Sequence, residues 1–300
     1  MRISDITIAN NYLTSVNDIK TEMDKLSGQI STSKVINKPS DNPTTAVKLL
    51  SINKKINNVD TYLSNISDSR TFMEETIRSM ENIQTEISSL QIKLVEVMDD
   101  SKTGSLDTYA DIIDASIETI LSSANQKYDG KYLFGGNDFS DKPFGFTSDN
   151  SSVEVKTSAV DGEQLVNISS SAVQKLNFNG EDLFGVSSQG DQIDIFTTLI
   201  SIRDNLRAGI KPADAEYKVI EDFNTNILDN ISNAGNIVVK FDNTEEMLTN
   251  QQTLLQGLVE KENSVDIAKA VMDLQYYDFL LQTSYQTASM ILPKSLLNYL

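Results

Sequence analysis

Among its 300 residues the chain has no cysteine, no histidine and no tryptophan. Without cysteine there is no disulfide and no thiol nucleophile, and the redox compartment cannot be read from this side. Without histidine there is no imidazole for acid–base chemistry at neutral pH, and Cys/His metal sites go with it. Carboxylates, lysine, tyrosine and hydroxyls are what remain for catalysis. Glycine (13) and proline (5) are sparse, so the chain has little punctuation, which favours long helices. Positive charge is also short, with 25 Lys and Arg against 43 Asp and Glu and a net charge of −18. That balance argues against nucleic acid or an anionic membrane surface as a partner. No stretch approaches the ~18 apolar residues of a membrane-spanning helix. The opening MRISDITIANNY has one basic residue and no apolar run of about 7–15 residues, so no cleaved signal peptide is expected.

What is present is a narrow apolar seam at each end. Ala9, Tyr12, Val16, Ile19, Met23, Leu26 and Ile30 recur at alternating spacings of three and four. Ile267, Val271, Leu274, Leu281, Tyr285, Ala288 and Leu292 keep the same frame, with Asp278 as its charged member. Such spacing marks a coiled-coil seam rather than the broad face of an ordinary surface helix. Isolated helices of this length are marginal in water. Pairing the two seams buries part of each, while Leu13, Leu280, Ile291, Leu296, Leu297 and Leu300 lie partly off them. Neighbours outside the chain would complete the burial. The spacing also fits a self-contained hairpin inside a bundle.

Between the ends the pattern divides the chain into five parts. Residues 1–42 form an N-terminal coiled-coil helix, helical to about residue 36. The run Lys38-Pro39-Ser40-Asp41-Asn42-Pro43 then builds a hinge corner, because Pro39 cannot continue a helix and Asn42-Pro43 reads as N-cap and first helical residue. Residues 43–139 form the first part of a helical rod. Leu63, Ile66, Met73, Ile77, Met80, Ile87, Leu94 and Met98 line one helix of up to roughly 85 Å. After Thr103-Gly104 a third helix is expected from Ser105 to Tyr128. Residues 140–190 read as a β-rich outer insert, from their turn signals and clustered β-branched residues. Residues 191–263 return to helix, with Glu245 and Gln252 interrupting the stripe Ile220 to Val259 and fixing its register. Residues 264–300 form the C-terminal coiled-coil helix.

Catalytic patterns match poorly. Gly130 to Gly135 has Walker-like spacing, yet Gly136-Asn137 stands where Lys-Ser/Thr would meet phosphate. Ser187 lies between Gly185 and Gly190 without the nucleophile-elbow spacing or a base. Asp138, Asp141, Asp149 and Glu154 do not follow an EF-hand loop; a loose cation and a solvated loop both fit them. No catalytic residue, cofactor or metal is assigned.

Several segments resemble a known family. MRISD and NNYL at the start, QISTSKVINKPSDNPTTAVKLL (Gln29–Leu50), ANQKYDGKYLFGGNDFSDKPF (Ala124–Phe144) and SYQTASMILPKSLLNYL (Ser284–Leu300) are similar to the flagellin-related hook–filament junction proteins, the third hook-associated proteins of bacterial flagella. KPSDNP is the most specific piece, since flagellin has an RAGDDAAG-like stretch there; the insert carries no resemblance.

The resemblance implies a mainly α fold with a small β-rich insert: a flagellin-like elongated helical rod with N- and C-terminal coiled-coil helices. It implies a non-enzymatic, self-assembling component that joins hook to filament, exported by the type III route and located outside the cell. The implied partners are copies of itself in a ring, the adjoining hook-associated junction protein, flagellin, and an export chaperone on the C-terminal segment. Three other readings stay open at this point: the filament subunit, a carboxylate-dependent hydrolase, and a cytosolic coiled-coil scaffold.

Overall fold

The structure is a computed structural model that describes residues 2–98, 106–138 and 141–291, with side chains for 7–98, 106–138 and 141–288. It is mainly helical. Two compact units are present: residues 1–58 with 250–300, and residues 59–249.

The first unit contains helix α1 (Arg2–Thr32), the start of α2 (Pro43–Met98), the end of α6 (Asp214–Asn263) and α7 (Ile267–Ile291). Helix α1 stops four residues short of the expected end. Ser33 takes the left-handed conformation (φ 57°), which a helix interior does not tolerate. Helix α2 begins where its signals lie: the Asn42 side-chain oxygen accepts the Thr45 amide at 3.1 Å, and Pro43 opens the helix.

The second unit is built on the remainder of α2 and α6 together with α3 (Leu106–Ala124) and α5 (Asp194–Arg207). Its core runs along α2 through Ile66, Met73, Met80, Ile87 and Leu94, all fully buried. Helix α3 packs on α5, with Ile113, Ile117 and Ile120 of α3 and Phe196, Leu199 and Ile202 of α5 all buried. Helices α2 and α6 run antiparallel, as Asn224 reaches Gln91 at 3.2 Å while Arg70 pairs with Asp242 and Glu245. Glu245, the interruption in the α6 stripe, therefore has a defined cationic partner.

Helix α3 ends at Ala124, and residues 127–128 are strand instead of its last turn. Strands β1 (Lys127–Tyr128) and β2 (Lys131–Tyr132) form a hairpin closed by Asp129-Gly130, with φ 48° and 76°. Positive φ at both positions matches the twist of a two-residue hairpin. Gly136 follows at φ 66°, and a Cβ there would lie 1.9 Å from the Ala159 carbonyl oxygen. Backbone packs directly on backbone at that point.

The β-rich segment consists of two further hairpins, β3 (Phe144–Phe146) with β4 (Val153–Val155) and β5 (Leu165–Asn167) with β6 (Val173–Lys175), followed by the short helix α4 (Gly180–Phe184). Asn179 and Asp182 form a capping box on α4. Phe184 fastens the segment to the helices: it meets Phe144 edge-on at 5.0 Å and stacks on Phe223 of α6 at 5.7 Å. Asn230 of α6 donates to the Asp182 carbonyl at 2.8 Å.

Candidate assembly interface

Helices α1 and α7 pack as an antiparallel pair. Met23 and Ser27 lie across from Leu274 and Asp278, Lys34 bridges Ser264, and Tyr12 is within electrostatic range of Tyr285. Of the α1 seam, Val16 is buried and Ala9, Tyr12, Ile19, Met23, Leu26 and Ile30 are half-buried. Two helices alone cannot cover it further.

On α7 the structure turns a particular face toward α1. Ala270 and Ala288 are buried there, with Leu274, Tyr277, Leu280 and Leu281 half-buried. The other seam members Ile267, Val271 and Tyr285 are 48%, 36% and 49% exposed. Leu292 lies outside the described residues, as do Leu296, Leu297 and Leu300. Sequence periodicity missed a second exposed stripe, Met272, Tyr276 and Phe279, at 62%, 59% and 63%. At 3.6 residues per turn these three lie roughly 180–240° around the helix from Ala270, on the side away from α1. Their apolar character was the available signal.

The Tyr12 hydroxyl oxygen is buried without a hydrogen-bond partner. Burial pushes its pKa up, with Tyr285 adding to the effect. A surface groove of about 500 Å³ between the helices is lined by Met23, Asp24, Ser27, Leu274, Gln275 and Asp278. Asp24 and Asp278 are the charged residues of that lining.

The corner is organised by Asp41. Its carboxylate accepts the amides of Lys38 at 2.8 Å and Asn37 at 3.0 Å, and these bonds hold its pKa below the ordinary carboxylate value. Lys38, Pro39, Ser40, Asn42 and Pro43 are exposed. The corner is thus a self-bonded turn whose side chains face solvent.

Three of the four acids singled out around the β-rich segment are engaged one by one. Asp138 accepts the Thr157 hydroxyl at 2.7 Å, Glu154 pairs with Lys156, and Asp149 accepts from Thr147 and Ser151, which lowers its pKa to about 2. Asp141 is exposed. Ser187 sits in an exposed turn, its amide donating to Asp191 at 3.1 Å. Among the described residues, no three Asp or Glu side chains stand close enough to share a metal ion.

Comparison with known proteins matches this arrangement. Residues 3–138 match the family model of the bacterial flagellin N-terminal helical region. A protein of Vibrio parahaemolyticus described as a flagellar hook-associated protein superposes with a TM-score of 0.64 at 15% identity, over 75% of this chain and 100% of that one. The fold is that of the flagellar hook-associated proteins. FlgL of Bacillus cereus superposes with a TM-score of 0.57 at 18% identity, covering 70% of this chain and 99% of its own. Flagellar hook-associated protein-3 of Legionella pneumophila gives 0.53 at 11% identity, covering 73% and 98%. Curated protein sequences give no match.

Proposed function

We propose that the protein is a structural, non-catalytic component of the bacterial flagellum that joins hook to filament, assembling as a ring of copies through α1 and α7. One observation carries the reading. Among the described residues, thirteen of the twenty-three exposed large apolar side chains belong to the unit formed by residues 1–58 and 250–300, the smaller of the two. Exposed apolar surface of that density marks an interaction site. The hook-associated fold supports the assembly to which this site belongs.

The corner Lys38–Pro43 sets the angle at which the terminal pair leaves α2. The ring meets the adjoining hook-associated junction protein on one side and flagellin on the other. Before assembly, an export chaperone covers the C-terminal segment, and the chain is exported to reside at the hook–filament junction. The filament subunit is the second reading, favoured by the match of residues 3–138 to the flagellin N-terminal region. The KPSDNP corner and the FlgL-like fold favour the junction.

Immunogold electron microscopy on whole cells separates them, with antibody raised against residues 106–249. Label confined to one band at the base of each filament is expected. Label along the entire filament establishes the subunit reading, and label retained inside the cell refutes both.

A further inference from the structure

Two helix breaks far apart in sequence meet in the unit formed by residues 1–58 and 250–300. The first, residues 33–42, separates α1 from α2; the second, residues 264–266, separates α6 from α7. They are joined by a short antiparallel bridge at Lys34 and Ser264. Asn263, buried at the end of α6, is its centre. Its backbone carbonyl accepts the Val35 amide at 2.8 Å, and its side-chain oxygen accepts the next amide, Ile36, also at 2.8 Å. On the far side the Val265 amide donates to the Ser33 carbonyl at 3.3 Å. Gln29, also buried, closes the loop from α1 by donating to the Val35 carbonyl at 2.7 Å.

We propose that Asn263 is a clasp that makes the two connections move as one. A helix break by itself is free to bend, because its backbone groups have lost their helical partners and water can take them. Here each break satisfies the other's orphaned groups. The orientation of the α1–α7 pair against the start of α2 and the end of α6 is therefore set by both connections together. Lys48 and Glu262, paired at 2.6 Å beside the bridge, are exposed enough to contribute little. Asn263 acts by position: its oxygen reaches a backbone amide that only an acceptor of this length can serve. The inference rests on the geometry of this unit alone and is independent of what the unit binds.

The test uses the full chain as a dilute monomer. Residue-resolved amide exchange is measured for the parent, Asn263→Leu, Asn263→Asp and Glu262→Gln. In Asn263→Leu the Ile36 amide should exchange about tenfold faster. The Val265 amide should accelerate with it, although the substitution leaves its own acceptor, the Ser33 carbonyl, intact. Asn263→Asp, which keeps the acceptor, and Glu262→Gln, which removes only the ion pair, should both behave as the parent. Because the chain has no cysteine, spin labels at Asp18→Cys and Lys54→Cys report α1 against α2 cleanly. Their distance distribution should broaden in Asn263→Leu and remain narrow in Asn263→Asp. Acceleration of Ile36 with Val265 unchanged, an unbroadened distribution, or an Asn263→Asp variant as loose as Asn263→Leu would each overturn the proposal.

Discussion

Arg203 Nη1 stands 2.8 Å from Asp114 Oδ1, joining α5 to α3. The arginine side chain is only 16% exposed, and hydrogen bonding to it is the first reason that the Asp114 pKa lies below the ordinary value. Replacing Arg203 with Met should destabilise the unit of residues 59–249 by about 1–2 kcal/mol, since a charge-assisted bond is lost and a carboxylate is left with the weaker Arg207 contact. Urea unfolding followed by circular dichroism measures this. A change below a few tenths of a kcal/mol would show the pair to be ornamental.

Gly136 and Gly130 both have positive φ, but they differ in what surrounds them. Gly130→Ala should cost about 1–2 kcal/mol, the left-handed penalty alone, because nothing lies near its absent Cβ. Gly136→Ala should cost more, since the Ala159 carbonyl occupies the space. Paired thermal melts check the order, and equal losses would contradict the close approach.

Asp149 gives a pH prediction. Hydrogen bonds from the Thr147 hydroxyl first, then from the Ser151 hydroxyl and amide, stabilise its charged form and hold its pKa at about 2. A depressed carboxylate pKa contributes stability that is complete above the ordinary value near 4 and fades as pH falls toward 2. Carboxyl-carbon NMR should place the midpoint near 2, and Asp149→Asn should flatten the stability loss in that window. A midpoint near 4 would dissolve the turn as described.

The Tyr12 hydroxyl, buried without a partner, costs the α1–α7 pair. Tyr12→Phe should therefore slow amide exchange along α1, consistent with roughly 1 kcal/mol of added stability. Faster exchange would mean that the hydroxyl is satisfied in solution.

Phe279 tests assembly. At its exposed position Phe279→Glu should change monomer stability by less than ~0.5 kcal/mol and leave the helical spectrum intact. Incorporation at the hook–filament junction should nevertheless be lost in a motility and microscopy assay. Normal incorporation would remove the stripe of Met272, Tyr276 and Phe279 from the contact surface.

The long helices of residues 59–249 were legible because each has one apolar stripe at helical spacing, as in Ile66, Met73, Met80 and Ile87, which fall two turns apart. The hairpin at Lys127–Tyr132 was not, because four paired residues are too few to alternate; the Asp129-Gly130 dipeptide was its one mark. The face of α7 was ambiguous for the opposite reason. Ile267, Ala270, Val271, Met272, Leu274, Tyr276, Tyr277, Phe279 and Leu280 are apolar almost all round, so several heptad frames fit and only packing against α1 selects one. Asn263 was invisible: a polar residue at a helix end carries no sign that its acceptor serves an amide 227 positions away.

The way the chain is divided has a kinetic consequence. Residues 59–249 are one uninterrupted stretch, whereas the other unit needs both extremities at once. Its pairings, α1 with α7 and Lys34 with Ser264, close loops of more than two hundred residues. Such long-range closure comes late. A chain emerging from the ribosome can thus complete residues 59–249 while α1 and α7 remain apart, and these two helices pair only once α7 has followed.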